Sequence, residues 1–172
     1  VEAGLRTYNK YNPFPEEKNR HLLSAITDYH FAPTEWSRSN LIKENVPPEK
    51  IWVTGNTVID ALMTISGRRK AVDGRQFFKS LHKKSHSAFD IQHSRLILVT
   101  GHRRESFGEG FENICHALRT IAQTRKDVTI VYPVHLNPNV RKPVNEILKG
   151  TDNVLLIEPL EYEPFVSLMN IS

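Results

Sequence analysis

Three apolar runs constrain this chain more than any other feature. They are "SRLILVTG" (Ser94–Gly101), "DVTIVYPV" (Asp127–Val134) and "NVLLIEPL" (Asn153–Leu160). A strand with one wet face alternates apolar and polar residues. A run that does not alternate predicts a strand covered on both faces, the habit of parallel sheets. Stretches of helical length separate the runs, at 107–123 and 137–149, and a shorter one follows at 161–169. Strand then helix, repeated, predicts right-handed βαβ units and a parallel sheet, an α/β fold.

The first half follows the same grammar with weaker runs. Pro15 followed by Glu16 and Glu17 marks a helix start, and the helix is expected to reach Thr27. "YHFAP" (Tyr29–Pro33) reads as a short strand. Thr34 is placed to cap a helix that "NVPP" stops near Asn45. "KIWVTGN" reads as another strand, and Asn56 as the cap of a helix with Val58, Ile59, Leu62 and Met63 on one apolar face. Between Ser66 and His93 the periodicity fades, with one helix expected around Phe77 and Leu81. The expected organisation is therefore a first domain over 1–65, a basic linker or edge segment over 66–93, and a second domain over 94–172.

Composition narrows the function classes. The chain has 172 residues, 39% of them hydrophobic, enough for one good core or two small ones. Its 23 Lys and Arg against 19 Asp and Glu leave a formal charge of +4. The excess clusters between Ser66 and Lys84. That cluster reads as a solvated face, because no aromatic stacking platform accompanies it, and no nucleic-acid partner is expected. The single cysteine, Cys115, excludes an internal disulfide and falls on an amphipathic pattern with Phe111, Ile114 and Leu118. There is no signal peptide and no run long enough to span a bilayer, so a reduced, cytoplasmic setting without a membrane partner is expected. The chain opens on Val1 and closes on "SLMNIS", and both ends read as cuts through a larger fold.

Three stretches could carry chemistry. "GHRRESFGEG" lies between an expected strand end and an expected helix start, where ligands of parallel sheets bind. Free backbone amides there, with His102, Arg103 and Arg104 as charged donors, suit a phosphate. The spacing matches neither of the named phosphate-loop fingerprints. The alternative is a strand-end loop whose arginines pair with Glu105 and Glu109. "YPVHLNPNVRKP" places His135 one βα unit later, either beside the first loop or simply capping the helix from Asn137. In "VEAGLRTYNKYNPFPEEKNR", Glu2 follows an apparent strand end with Arg6 four residues on. A carboxylate near a cation and partly desolvated is a usable acid or base. Glu16 and Glu17 each read more simply as surface or helix-dipole carboxylates.

Taken together, "VEAGLRT", "PFPEEKNR", "FAPTEWSRSNL", "VTGNTVIDAL", "TGHRRES" and "YPVHLNPNVRKPV" resemble the bacterial non-hydrolysing UDP-N-acetylglucosamine 2-epimerases. The resemblance covers nearly the whole chain outside 66–93. It implies two Rossmann-like domains facing each other in a GT-B-like arrangement, and a homodimer. It implies interconversion of UDP-N-acetylglucosamine and UDP-N-acetylmannosamine by elimination and re-addition of UDP, with no nicotinamide cofactor and no metal. Glu2, Glu16 and His102 match catalytic positions of the family. Arg103 and His135 match positions associated with a second UDP-sugar that acts as an allosteric activator, and Arg104 and Glu105 fall in the same substrate-binding motif. The family pattern also needs a further aspartate and a "TDSGG"-like segment that this chain lacks, so the isolated chain is expected to be inactive. Alternatives are a hydrolysing 2-epimerase, a GT-B glycosyltransferase and a nucleotide-sugar-binding module without catalysis.

Overall fold

The computed structural model describes residues 1–67, 73–85, 94–101, 103 and 106–172. The chain divides into two compact units, Val1–Ala61 and Leu62–Ser172. Both are α/β with parallel strands, as the apolar runs predict.

In the first unit, helix α1 (Glu16–Ile26) precedes strand β1 (His30–Ala32), helix α2 (Glu35–Lys43) and strand β2 (Ile51–Val53). Helix α3 (Thr57–Ser66) begins here and crosses the division. The strands pair in parallel with His30 opposite Ile51. Glu2 adds a parallel bridge to His30, its carbonyl accepting the Phe31 amide at 2.8 Å. Thr34 caps α2 by accepting the Ser37 amide at 3.2 Å, and Asn56 accepts the Val58 amide at 3.0 Å at the start of α3. These side chains satisfy orphan donors that a helix start otherwise leaves open. The core here is small: Ala32, Leu41 and Ile51, with Val46 against them. The apolar face of α3 forms at the expected spacing, yet Val58, Ile59 and Met63 are exposed.

The second unit holds α4 (Gly74–Ser85), β3 (Arg95–Leu98), α5 (Glu109–Thr124), β4 (Val128–Pro133), α6 (Pro138–Leu148), β5 (Val154–Ile157) and α7 (Tyr162–Met169). Its strand order is β3–β4–β5, all parallel, with Ile97 opposite Ile130 and Ile130 opposite Val154. Side chains alternate across β4, so both faces carry a core. Ile130 and Tyr132 pack with Phe111, Cys115, Leu118 and Ala122 of α5 and Val140, Val144 and Leu148 of α6. The spacings in those helices return side chains to one face. On the opposite face Val131 packs with Leu96, Leu155, Phe78 and Leu168. Burying a side chain of this size contributes about 1.5–3 kcal/mol. Asn153 is buried between α5 and β4, and its amide donates to the Ala122 and Val128 carbonyls, both at 3.0 Å.

One sequence expectation needs correction, and one is met. Helix α5 starts at Glu109 rather than Phe107, because Gly108 takes φ +82° ahead of it, off the helical path. Of the basic linker or edge segment expected over 66–93, residues 68–72 and 86–93 lie outside the described residues. Its helix, expected around Phe77 and Leu81, forms as α4, and Phe78 is buried against the second sheet. Its many basic residues dilute the apolar pattern without removing the stripe.

Candidate functional site

In the first unit the site is built around the loop from Glu2 to Pro15. The chain leaves the sheet at Glu2, which is buried, and turns at once through Gly4 at φ +72°. A Cβ at Gly4 would lie 2.3 Å from the Ser37 carbonyl oxygen, so only glycine allows both the turn and the close approach to α2. The Gly4 amide donates to Glu2 Oε2 at 2.7 Å. Arg6 folds back with Nη1 3.4 Å from both Glu2 oxygens, and its side chain has no exposed surface. It also forks onto Glu44, with Nε to Oε1 at 2.8 Å and Nη2 to Oε2 at 2.9 Å. Burial opposes the charge on Arg6, but Glu44 and Glu2 together raise its pKa above the ordinary value.

The paired glutamates at the start of α1 have different surroundings. Glu16 is exposed, as a helix-dipole carboxylate should be. Glu17 is only 1% exposed, which overturns its reading as a surface group. Successive helix residues point about 100° apart, so one faces water and its neighbour faces the loop. Glu17 Oε1 accepts the amides of Thr7 at 3.0 Å and Tyr8 at 2.9 Å, and His21 Nε2 lies 3.3 Å away. Burial alone would raise its pKa. The two amides and His21 outweigh that and hold the carboxyl below its ordinary range. The other nitrogen of His21 sits 3.2 Å from Glu44, so the Glu17 and Glu44 groups share one imidazole. His30, beside Glu2 in the sheet, is 1% exposed; burial lowers its pKa despite the attraction of Glu2.

In the second unit the candidate loops follow neighbouring strands. The loop after β3 begins at Gly101, whose carbonyl accepts the Tyr132 hydroxyl at 2.9 Å. A Cβ at Gly101 would meet that hydroxyl at 3.0 Å, so the small residue keeps the approach open. Burial and the neighbouring Cys115 push the Tyr132 hydroxyl up to about 12, and it remains a donor at neutral pH. Cys115 is pushed up to about 11 by burial and Glu112, which fits the core role expected for it and not a nucleophile. Arg103 is exposed and its carbonyl accepts the Ser106 amide at 3.1 Å. His102, Arg104 and Glu105 lie outside the described residues. His135 follows β4 on the adjacent strand, exposed, and its Nδ1 accepts the Asn137 amide at 3.1 Å. That bond supports the capping alternative, while Asn137 itself caps α6 through Asn139 at 2.9 Å.

Glu2 and Arg6 are thus brought together as the four-residue spacing suggested. Glu44 and Tyr132 escaped sequence reasoning, and Glu17 was noticed without its buried role. Glu44 is 38 residues from its partner Arg6, and no local pattern signals such a pair. A cavity of about 800 Å³ lies near the amino ends of β3 and β4, lined by Arg75, Lys79, Arg95, Leu96, Val128 and Ile171. Ligands of parallel sheets bind at the other end of the strands, so the cavity is not the candidate site. Among the described residues, no group of three or more His, Cys, Asp or Glu could hold a metal ion, and no helix is long and apolar enough to cross a membrane.

Known proteins share this sequence and fold. The chain is 56% identical to the UDP-N-acetylglucosamine 2-epimerase of Escherichia coli K12 over 170 residues, which are 99% of this chain and 44% of that protein. The crystal structure of UDP-GlcNAc 2-epimerase from Neisseria meningitidis bound to UDP-GlcNAc superposes with a TM-score of 0.85 at 48% identity, over 100% of this chain and 45% of that one. The Methanocaldococcus jannaschii UDP-GlcNAc 2-epimerase in complex with UDP-GlcNAc and UDP matches at 30% identity with a TM-score of 0.70, over 99% of this chain and 45% of that one. The chain therefore spans a little under half the length of these relatives. The profile of the UDP-N-acetylglucosamine 2-epimerase family matches residues 1–172, and the chain belongs to that family.

Proposed function

We propose that this chain carries part of the catalytic apparatus of an enzyme that interconverts UDP-N-acetylglucosamine and UDP-N-acetylmannosamine. The observation that carries the reading is the Glu2 carboxylate, buried beside the sheet and fixed by the Gly4 amide and Arg6, in a chain that the family profile matches along its whole length. Related proteins bound to UDP-GlcNAc and UDP support the substrate.

The chemistry follows from the residue types. A carboxylate removes the proton at C2. The C–H electron pair becomes the C1–C2 double bond, and UDP departs with the electrons of the C1–O bond. Negative charge grows on the pyrophosphate in that step, and His102 and Arg104 are the donors in the motif suited to stabilise it. UDP then adds back to C1, and a second acid protonates C2 on the opposite face. Glu2 and Glu16 are the proposed pair, in either order. Arg103, Glu105 and His135 are assigned to contacts with sugar nucleotide, Arg103 and His135 with a second, activating molecule. In this reading 1–65 and 94–172 belong to two Rossmann-like domains in a GT-B-like arrangement. The intact enzyme is a cytoplasmic homodimer that serves cell-envelope polysaccharide synthesis and needs neither metal nor nicotinamide cofactor.

The test is proton NMR of UDP-N-acetylglucosamine incubated with the intact protein in deuterated water. The expected result is UDP-N-acetylmannosamine with deuterium at C2. Release of free N-acetylmannosamine would assign the hydrolysing reaction instead, and absence of turnover would leave a binding module. The isolated 172-residue chain is expected to give no epimer in the same assay.

A further inference from the structure

Glu2 does not stand alone with its arginine. Arg6 is shared between two carboxylates, and the sharing is unequal. Its fork closes on Glu44 with two bonds of 2.8 and 2.9 Å, whereas Glu2 receives only Nη1, at 3.4 Å. The planar guanidinium is therefore oriented by Glu44, and Glu2 takes what remains. Glu44 is held in turn by His21 Nδ1 at 3.2 Å. It sits at the C-terminal end of α2, where its backbone amide is tied to the Asn40 and Leu41 carbonyls.

We infer that Glu44 is a positioning residue for the proposed epimerisation, acting through Arg6 to set the orientation of the Glu2 carboxylate and its readiness to exchange a proton. The inference rests on the reading that Glu2 acts at C2. The physical reason is the division of one buried cation between two anions. Drawing the guanidinium toward Glu44 leaves Glu2 beside a cation that is already largely neutralised. The charged and titratable groups set against Glu2 and its partners are Arg6 on its own loop, His30 on β1, Glu44 on α2, and His21 and Glu17 on α1, which reach Glu44 through the shared imidazole. Of these only Glu44 makes the forked contact that aims Arg6.

The deciding experiment measures kcat and KM against pH for the intact protein and for Glu44→Gln. Without the Glu44 charge, Arg6 acts on Glu2 undivided. The acidic limb of the kcat profile is expected to move down by about 0.5–1 in pH, and kcat to fall about tenfold as the guanidinium loses its orientation. Glu44→Asp should return the limb toward the parent position. A Glu44→Gln profile that superimposes on the parent after scaling, or that moves to higher pH, overturns the inference, because loss of structure alone scales the rate without moving the limb. Should Glu44→Gln fail to fold, Arg6→Lys decides. It keeps the charge but not the fork, so kcat should fall about tenfold with the limb in place; kcat within about twofold of the parent counts against the inference. A parent protein without epimerase activity would sink the functional reading instead, and the two failures are distinct.

Discussion

The two units hold their loops by opposite means. In the second, Gly101 beyond β3 lies against an apolar block: ten buried residues on one face of the sheet, of which Tyr132 donates its hydroxyl to the Gly101 carbonyl. In the first, the core is three buried residues, and the loop from Glu2 to Pro15 is held by a polar network: the buried side chains of Glu2, Arg6 and Glu17, joined by half-buried Glu44 and exposed His21. Apolar packing is non-directional and largely indifferent to pH. A carboxylate network is directional and fails when its members are protonated. The difference places pH sensitivity and steric precision in the first unit, and bulk stability in the second.

The comparison can be broken most forcefully in the second core. Phe111→Ala in the intact protein should cost about 3–5 kcal/mol, the range for an aromatic ring removed from a closed site. A denaturant melt that shows less than about 1 kcal/mol would mean that the α5 stripe is not the foundation of the unit.

Glu17→Gln should follow, at about 1–3 kcal/mol near neutral pH, because a neutral amide accepts the Thr7 and Tyr8 hydrogen bonds less strongly than a carboxylate. The sign with pH is definite. Glu17 has a folded pKa below its unfolded one, so its contribution is complete above the ordinary carboxylate range and is lost as pH falls through the depressed folded value. His30, also depressed, acts in the same direction from the ordinary histidine range downward. The gap between parent and Glu17→Gln should therefore close in acid. A gap that is constant from pH 7 into the acid limb would show that the carboxylate charge does not hold the loop.

The smallest effect is expected from Tyr132→Phe, about 1 kcal/mol, since one hydroxyl is lost while the ring still fills its site. Hydrogen exchange at the loop after β3 should quicken. Unchanged exchange would separate Tyr132 from the ordering of that loop.

Legibility in the sequence followed the range of the interaction. β3, β4 and β5 were readable because burial on both faces writes itself as consecutive apolar residues. The caps at Thr34 and Asn56 were readable because each bonds two or three residues away. Helix α4 was half readable, its stripe of Phe77, Phe78 and Leu81 spread among basic residues. Glu16 and Glu17 are adjacent and chemically identical, and only the rotation of the helix against the loop separates an exposed carboxylate from a buried one.

Residue types and their spacing alone determined the α/β class, the order of strands and helices, the family, and the pairing of Glu2 with Arg6, because all of these depend on local periodicity or on motifs contiguous in the chain. The tertiary structure decided that Gly4 must be glycine, that Glu17 is an internal clamp, and that Arg6 answers to Glu44. Those outcomes depend on which surfaces meet when α1 and α2 close over the loop, and contacts between residues 10 to 38 apart leave no periodic trace in the sequence.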